Sequence, residues 1–236
     1  MMELTDTIAA VSTAAGEGGV GIVRISGGNA LPTAEKVFLF EKTPAAVNER
    51  RLYYGRVIDP RNRGTIDDGF LVYMKAPCSY TGLDVVELQL HGSPLVLKKT
   101  LEALINCGAR LAEPGEFTRQ AFLNGRIDLT QAEAVIDVIR AETDAALSSA
   151  RGRLEGALSK RINEIKETLL GLVTHLEAEL DFPEDEAGGL SDEEILDRLN
   201  SVNRGLKNLL DTYEEGSALK DGVRVLILGR PNVGKS

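Results

Sequence analysis

The sequence predicts an α+β domain, then an all-α helical domain, and finally the first strand of an α/β domain. Three observations lead to this prediction. Short β-branched runs separated by turn residues fill the first half of the 236-residue chain. Apolar residues recur at three- and four-residue spacing in the second half, as on one face of a helix. The last residues form an apolar run that leads directly into a glycine-rich loop.

The first domain is expected to begin with two strands and a helix. Residues 7–11 and 20–25 are β-branched runs on either side of a glycine-bearing connection at 14–19. Asn29 is a suitable N-cap and predicts a helix that continues to Phe40.

Three further strands and a second helix complete this domain. The strands are predicted at 52–58, 69–74 and 85–90, and the helix begins at Pro94 and ends before Gly108. Strands mixed with a few helices indicate an α+β or α/β domain, of which we take α+β as the prediction, and we expect it to span residues 1–118.

The apolar spacing from Ala132 to Leu180 predicts one long helix that begins near Thr130, because no proline interrupts this stretch before Pro183. An acidic loop follows at 185–190. The helix and loop are expected to lie in a helical domain whose first part spans residues 119–220.

A second helix of this domain is expected to start at Ser191, since Glu194 stands three residues later and the two can form a capping box. It would run to about Tyr213 and pack antiparallel to the long helix.

Residues 177–194 contain nine acidic side chains and no basic one. This acidic stretch is either a solvated helix end or a docking surface for a basic partner.

The glycine-rich loop at the end of the chain has the sequence GRPNVGKS at 229–236, directly after the strand predicted at 223–228. It matches the pattern G-x-x-x-x-G-K-[ST], in which backbone N–H groups surround phosphate oxygens. Lys235 would neutralise the outer phosphates, and the Ser236 hydroxyl would bind Mg²⁺. This pattern predicts a nucleotide-binding loop at the start of a P-loop α/β domain, residues 221–236.

The helix that normally follows such a loop supplies further N–H groups to the phosphates. The sequence stops at Ser236, before such a helix. We therefore expect a truncated piece of a larger NTPase, with no catalytic residue in this fragment. The fragment alone is expected to be inactive as a GTPase.

Composition and charge exclude several classes of protein. The net charge of −9 argues against tight binding to a bare phosphate backbone. The two cysteines and two histidines form no metal-site spacing and indicate a reducing compartment. No apolar stretch has the length of a signal peptide or a membrane span, so a cytoplasmic location without a membrane partner is expected.

Four segments in order carry a resemblance to a known family. They are GVGIVRIS at 19–26, SYTGLDVVELQLHG at 79–92, EPGEFTRQAFLNGRIDLTQAEA at 113–134 and GRPNVGKS at 229–236. With these segments the chain resembles the bacterial tRNA modification GTPases called MnmE or TrmE, over essentially its whole length.

The resemblance implies a three-part protein: an N-terminal tetrahydrofolate-binding domain that forms a homodimer, a helical domain, and a GTPase domain inserted into the helical one. It implies that the whole protein modifies C5 of the wobble uridine of certain tRNAs together with an FAD-dependent partner. The product would be a carboxymethylaminomethyl-type group. The folate would be a 5-formyl- or 5,10-methylene-type derivative that brings a one-carbon unit, and potassium-dependent GTP hydrolysis would drive domain movement.

The resemblance also assigns site residues. Arg24, Glu87 and Arg126 stand where the family contacts folate, and their chemistry suits it, because a carboxylate accepts paired N–H donors and arginine forks onto an oxygen pair. The GTP-binding residues would be those of the loop, with Asn232 also binding K⁺ and Ser236 binding Mg²⁺: Asn232, Val233, Gly234, Lys235 and Ser236. Without the family, the three charged residues also fit ordinary exposed positions.

Three positions depart from the family pattern: Arg126 stands where lysine is common, Leu83 where glutamate is common, and Ser93 where glycine is common. Arginine keeps the charge of lysine but changes the hydrogen-bond geometry.

Two other functions remain open at this point. One is a P-loop GTPase of ribosome assembly without folate chemistry, and the other is a folate-binding dimerisation module with no activity of its own. Binding of a tetrahydrofolate by residues 1–118 separates the first of these from the tRNA modification GTPase.

Overall fold

The computed structural model describes residues 6–181 and 190–212. The chain divides into two compact units between Ile127 and Asp128. The first is a mixed α and β unit and the second is helical, which confirms the expected fold class for the described residues. The division lies later than the expected boundary after residue 118, because that position falls inside a short helix, Glu116–Leu123, which belongs to the first unit.

The first unit is built on a seven-stranded sheet with the strand order β3-β4-β5-β6-β2-β1-β7. All neighbouring strands are antiparallel except β1 and β7, which are parallel. The strands are β1 Ile8–Val11, β2 Gly18–Ser26, β3 Phe38–Phe40, β4 Leu52–Ile58, β5 Thr65–Met74, β6 Val85–Gly92 and β7 Arg110–Leu111. The helices are α1 Ala30–Glu35, α2 Pro94–Asn106 and α3 Glu116–Leu123.

One face of the sheet forms the core. Alternate residues of each strand point to the same face, and β6 accordingly buries Val86, Leu88 and Leu90 in a cluster that also holds side chains of α1 and α2. The residues between them, such as Glu87, lie on the opposite face, which we call the open face. On the open face, Ile8, Ser26 and Val85 are also buried. Strands such as β4, which are buried mainly on the core face, show alternating apolar residues.

The helix predicted from Asn29 to Phe40 is shorter than expected, and this part of the prediction was wrong. Helix α1 ends at Glu35, and residues 38–40 form β3, which pairs with β4. Phe38 is buried, and its ring packs edge-on against Phe40 at 5.1 Å between centroids. The pairing with β4 and these ring contacts outweigh continuation of the helix.

The second unit contains four helices in its described residues: α4 Leu129–Arg140, α5 Asp144–Leu154, α6 Ala157–Asp181 and α7 Asp192–Asp211. The prediction of one long helix from Thr130 to Leu180 was therefore wrong. The backbone is extended at Ala141, after which the Thr143 hydroxyl caps α5 by accepting a hydrogen bond from the Ala146 N–H. A second break occurs at Gly156, which has a φ of +84°.

The apolar spacing continues across both breaks although the helices are not continuous. Helices α4 and α5 pack against each other and do not form one straight helix. Asp137 of α4 and Arg153 of α5 form an ion pair at 2.8 Å, and the Gln131 side chain donates to the Leu154 carbonyl. Apolar periodicity records which face is buried and does not record whether one helix or two supply that face.

The capping box at the start of α7 is confirmed. The Ser191 hydroxyl accepts from the Glu194 N–H, and the Glu194 carboxylate accepts from the Ser191 N–H. Helices α6 and α7 run antiparallel, since Gly205 lies against Ile165 while the His175 ring accepts the Leu190 N–H at the other end. Tyr213 and the loop at 185–189 lie outside the described residues.

No helix in residues 6–181 or 190–212 is long and apolar enough to cross a membrane. The same residues contain no group of three or more His, Cys, Asp or Glu side chains that could hold a metal ion.

Candidate functional site

The site is centred on Arg24 and Glu87, which face each other on β2 and β6 in the antiparallel register. Arg24 donates to the Glu87 Oε1 atom through Nε at 2.9 Å and lies at 2.8 Å from it through Nη2. The side chains are 27% and 15% exposed. Partial burial makes this pair stronger than an exposed salt bridge, because water screens it less.

Within the described part of the chain, one oxygen of Glu87 has protein partners. Both Arg24 contacts are to Oε1, and among the described residues Oε2 has no protein partner. An ionised carboxylate oxygen accepts hydrogen bonds and does not donate them. Glu87 therefore keeps an acceptor that a ligand with N–H donors can use while the pair with Arg24 stays formed.

Two aromatic rings lie next to the Arg24 guanidinium, in addition to Glu87. Its Cζ atom lies over the Tyr80 ring at 5.7 Å and over the Phe117 ring at 5.6 Å from the centroids. Both distances are within the range of cation–π attraction. The Tyr80 hydroxyl is hydrogen-bonded to the Thr118 hydroxyl at 2.9 Å, which fixes this ring to α3.

Tyr80 belongs to the loop between β5 and β6, and Asp84 anchors this loop at its end. The Asp84 carboxylate accepts from the Tyr73 hydroxyl and from the Ala76 N–H, each at 2.9 Å. Burial and the bond to Asp84 raise the pKa of Tyr73 to about 12, so the phenol stays protonated and keeps donating. Within the loop, the Ser79 hydroxyl donates to the Leu83 carbonyl.

A buried polar chain joins this loop to both β2 and α3. The Ser26 hydroxyl donates to Gln120 Oε1 at 2.8 Å and is also 2.8 Å from the Thr81 hydroxyl. In addition, the Asn124 amide donates to the Thr81 carbonyl at 2.7 Å. Buried polar groups with complete hydrogen bonding fix one arrangement, because any other arrangement would leave a group without a partner.

Arg126 reaches the same loop from the end of α3. Its N–H donates to the Ala121 carbonyl, and its exposed side chain passes across Gly82. A Cβ atom on Gly82 would lie 3.1 Å from Arg126 Cγ and 3.0 Å from Asn124 Cβ, and Gly82 has a φ of +78°. Glycine is therefore required here for the backbone conformation and for the close approach of Arg126.

The structure thus brings two of the three predicted folate residues into direct contact and places the third against the loop whose Tyr80 contacts Arg24. Arg24 and Glu87 touch each other, whereas Arg126 touches neither in the contacts of the described residues. The loop at 79–83 links them, since Tyr80 lies against Arg24 and Gly82 lies against Arg126.

A second group of charges holds the start of α3 in place. Glu116 is only 4% exposed, and its carboxylate accepts from Arg110, from Arg119 and from the Glu113 N–H. The Arg110 guanidinium lowers the pKa of the Glu116 carboxyl. These contacts are satisfied within the protein, so their role is to position α3.

Two positions that depart from the family pattern have ordinary structural contacts. The Leu83 N–H donates to the Thr81 hydroxyl, and Ser93 occupies the N-cap position of α2 without a side-chain cap bond. His91, two residues before Ser93, is exposed and pairs with Asp67. The Asp67 carboxylate raises the pKa of the His91 imidazole.

Sequence reasoning missed the supporting residues Tyr80, Phe117 and Gln120. All three fall inside the segments 79–92 and 113–134 that carried the resemblance. Their spacing gave no signal, because their role depends on contacts between residues far apart in the chain. The predicted GTP-binding residues Asn232, Val233, Gly234, Lys235 and Ser236 lie outside the described residues, as does the strand predicted at 223–228.

Comparison with known families assigns both units. The sequence profile described as "GTP-binding protein TrmE N-terminus" matches residues 7–126. The profile described as "MnmE helical domain" matches residues 129–228. The first match ends where the first unit ends, and the second begins where the helical unit begins.

Whole proteins with the same name are also similar to this chain. A "tRNA modification GTPase MnmE" of Clostridioides difficile is 47% identical over 237 residues, which is 100% of the chain and 51% of the relative. Proteins of the same name from Geobacter metallireducens and Aquifex aeolicus are 48% and 46% identical, over 100% and 99% of the chain and 51% of each relative. The chain spans about half the length of the curated relatives it matches.

Proposed function

Because the chain belongs to the MnmE (TrmE) family of tRNA modification GTPases, we propose that its first unit binds a reduced folate for tRNA modification. The observation that carries this proposal is the half-buried Arg24–Glu87 pair beneath the loop that also contacts Arg126. Charged pairs held on a sheet face below a glycine-containing loop are suited to a small polar ligand.

The residues fit the chemistry of a tetrahydrofolate. The pterin ring has an amino group and neighbouring ring N–H groups, which can donate to Glu87 Oε2. Arg24 and Arg126 are cations that can bind carbonyl or carboxylate oxygens of the same ligand. A 5-formyl- or 5,10-methylene-type folate supplies a one-carbon unit when bound. The protein residues bind and orient it.

For the whole protein we propose a tRNA modification GTPase that acts with an FAD-dependent partner in the cytoplasm. The modified position would be C5 of the wobble uridine of certain tRNAs, with addition of a carboxymethylaminomethyl-type group. The loop at 229–236 would bind GTP, with Asn232 on K⁺ and Ser236 on Mg²⁺. The pattern G-x-x-x-x-G-K-[ST] supports this part of the proposal.

We further propose that the first unit forms a homodimer. The open face of its sheet exposes large apolar side chains, which are Val20, Leu39, Leu52, Tyr54 and Phe70. Tyr54 and Phe70 lie side by side with ring centroids 5.4 Å apart. A contiguous apolar patch of this kind favours association, because burying it removes apolar surface from water.

Calorimetric titration of the 236-residue chain with 5-formyltetrahydrofolate tests the folate proposal. We expect saturable binding of this ligand and none of p-aminobenzoylglutamate, which has the tail of the folate but lacks the pterin. No binding of either ligand would favour the alternative of a GTPase of ribosome assembly without folate chemistry.

A further inference from the structure

We propose that Tyr80 and Phe117 are positioning residues that orient the Arg24 guanidinium, so that the site forms only while α3 is docked on the sheet. This inference rests on the proposed folate function for the identity of the ligand. The placement of Arg24 itself is a property of the protein without ligand, and it can be measured separately.

The first step concerns the freedom of the Arg24 side chain. A long arginine side chain on a strand samples many rotamers, and ordering it costs conformational entropy. Glu87 fixes only the edge of the guanidinium that carries Nε and Nη2. Its Cζ atom lies over the Tyr80 and Phe117 rings, at 5.7 and 5.6 Å from their centroids. Together the carboxylate and the two rings restrict the positions that the group can occupy.

The second step concerns water. Arg24 is 27% exposed, so a pair with Glu87 alone would be partly screened by solvent. Aromatic rings exclude water from the surfaces that they cover and attract the cation through their π-electrons. The rings therefore strengthen the Arg24–Glu87 pair. The N–H donors of Arg24 that do not contact Glu87 are left to bind a ligand.

The third step concerns where the rings come from. Phe117 is a residue of α3, and Tyr80 is hydrogen-bonded to Thr118 of the same helix. Helix α3 is in turn fixed to the sheet by the bond from buried Ser26 to Gln120. Both rings thus depend on the docked position of α3, which also carries Arg126 just beyond its end.

The test combines a measurement without ligand and one with ligand on four variants of the 236-residue chain. Tyr80→Leu and Phe117→Leu each remove one ring, and Tyr80→Phe keeps the ring but loses the hydroxyl. Phe122→Leu is the matched control, because Phe122 is exposed on the same helix and takes part in none of the ring contacts of the described residues.

The first readout is the NMR signal of the Arg24 Nε–Hε group, assigned by its loss in Arg24→Lys. In Tyr80→Leu and Phe117→Leu we expect this signal to shift and its hydrogen to exchange faster with water. The second readout is the affinity for 5-formyltetrahydrofolate, which we expect to fall by about 3- to 10-fold in each of these variants. Phe122→Leu should retain the parent values in both readouts. Tyr80→Phe keeps the ring but loses the bond to Thr118, so its effects should be smaller than those of Tyr80→Leu.

An unchanged Arg24 signal in both ring-removing variants would overturn the proposal, as would an equal loss of affinity in Phe122→Leu. Circular dichroism confirms that each variant is folded, and Tyr80→Leu is the milder change because Tyr80 is 37% exposed. If the parent chain binds no folate, the folate function fails, while the Arg24 signal still decides whether the rings position this residue.

Discussion

Arg24 on β2 lies 2.8 Å from Glu87 on β6, and the two residues are direct partners in the antiparallel register of these strands. They come from segments far apart in the chain, yet the register places them side by side on the open face. The pair uses one Glu87 oxygen and leaves the other as an acceptor, which makes Glu87 the residue whose loss should affect ligand binding most directly.

Replacing Glu87 by alanine is expected to weaken binding of 5-formyltetrahydrofolate by about 10- to 150-fold. Loss of one partner of a charged hydrogen bond costs about 1.5–3 kcal/mol, which corresponds to this range. Calorimetry on the variant measures the effect. Glu102→Ala is the control, since Glu102 is exposed on α2 and its salt bridge is to Lys98 of the same helix, at 4.0 Å. Parent-like affinity of Glu87→Ala would remove Glu87 from the site.

Gly82→Ala is expected to weaken folate binding by about 10-fold, because the new methyl group would displace Arg126 from the loop. The Cβ would lie 3.1 Å from Arg126 Cγ at a φ of +78°. Gly156→Ala is a matched control for backbone strain. Gly156 has a φ of +84° but would make only an ordinary contact, at 3.5 Å from the Gln131 side chain. An equal loss of affinity in both variants would mean that strain, and not the displacement of Arg126, is responsible.

The strands were predictable because each is half-buried, so its apolar residues alternate. Residues 52–58 were predicted as a strand with the bounds that β4 has. The helix predicted from Asn29 to Phe40 was too long. Residues 38–40 suit either a helix or a strand, and their pairing with β4 makes them a strand. The prediction of one long helix was wrong at Thr143 and Gly156 for a related reason. An N-cap and a glycine with positive φ separate helices without interrupting the apolar spacing.

The candidate site was predictable in its charged residues and not in the contacts that orient them. Arg24 and Glu87 followed from the resemblance, and the strand register explains their contact. Helix α3 was not predicted, although Glu116 and Gln120 fix it to the unit. Gln120 acts through Ser26, which is 94 residues away in the chain. The partners of Glu116 are near in sequence, but their charges alone do not indicate that the carboxylate is buried.

The first unit is expected to form a homodimer that buries the apolar side chains around Tyr54 and Phe70 on the open face and leaves the Arg24–Glu87 pair accessible. Light scattering of the chain at tens of micromolar, with and without folate, should report a dimer. The double variant Tyr54→Glu with Phe70→Glu should be monomeric, because two charges on the apolar patch oppose its burial. Leu95→Glu is the control, since Leu95 is exposed on α2, which packs against the other face of the sheet. A monomeric parent under both conditions would contradict the proposal.

A polypeptide of these 236 residues alone is expected not to bind GTP measurably. A phosphate loop gains much of its affinity from the N–H groups and dipole of the helix that follows it. Fluorescent GTP in a buffer with potassium and magnesium measures the binding. Micromolar affinity that is lost in Lys235→Ala would contradict this expectation, whereas weak binding that is indifferent to Lys235→Ala would agree with it.

Glu116→Gln is expected to destabilise the first unit by about 1.5–3 kcal/mol at pH 7, because Arg110 and Arg119 lose a charged and almost fully buried acceptor. The carboxylate of Glu116 accepts from Arg110, Arg119 and the Glu113 N–H while almost fully buried. Urea unfolding followed by tyrosine fluorescence reports mainly on this unit, which holds four of the five tyrosines, Tyr53, Tyr54, Tyr73 and Tyr80. Glu113→Gln is the control and should cost less than about 0.5 kcal/mol, since the Glu113 side chain is exposed.

The difference in unfolding free energy between the parent and Glu116→Gln is expected to depend on pH. Hydrogen bonds from Arg110 lower the pKa of Glu116 in the folded protein below its unfolded value of about 4.3. The stabilisation by this carboxylate is therefore complete above the unfolded pKa and is lost as the pH falls through the lower folded pKa. The two proteins should differ fully at pH 7 and less with each step below about pH 4. A difference that stays constant from pH 7 to pH 3 would show that Glu116 stabilises the unit by packing and not by its charge.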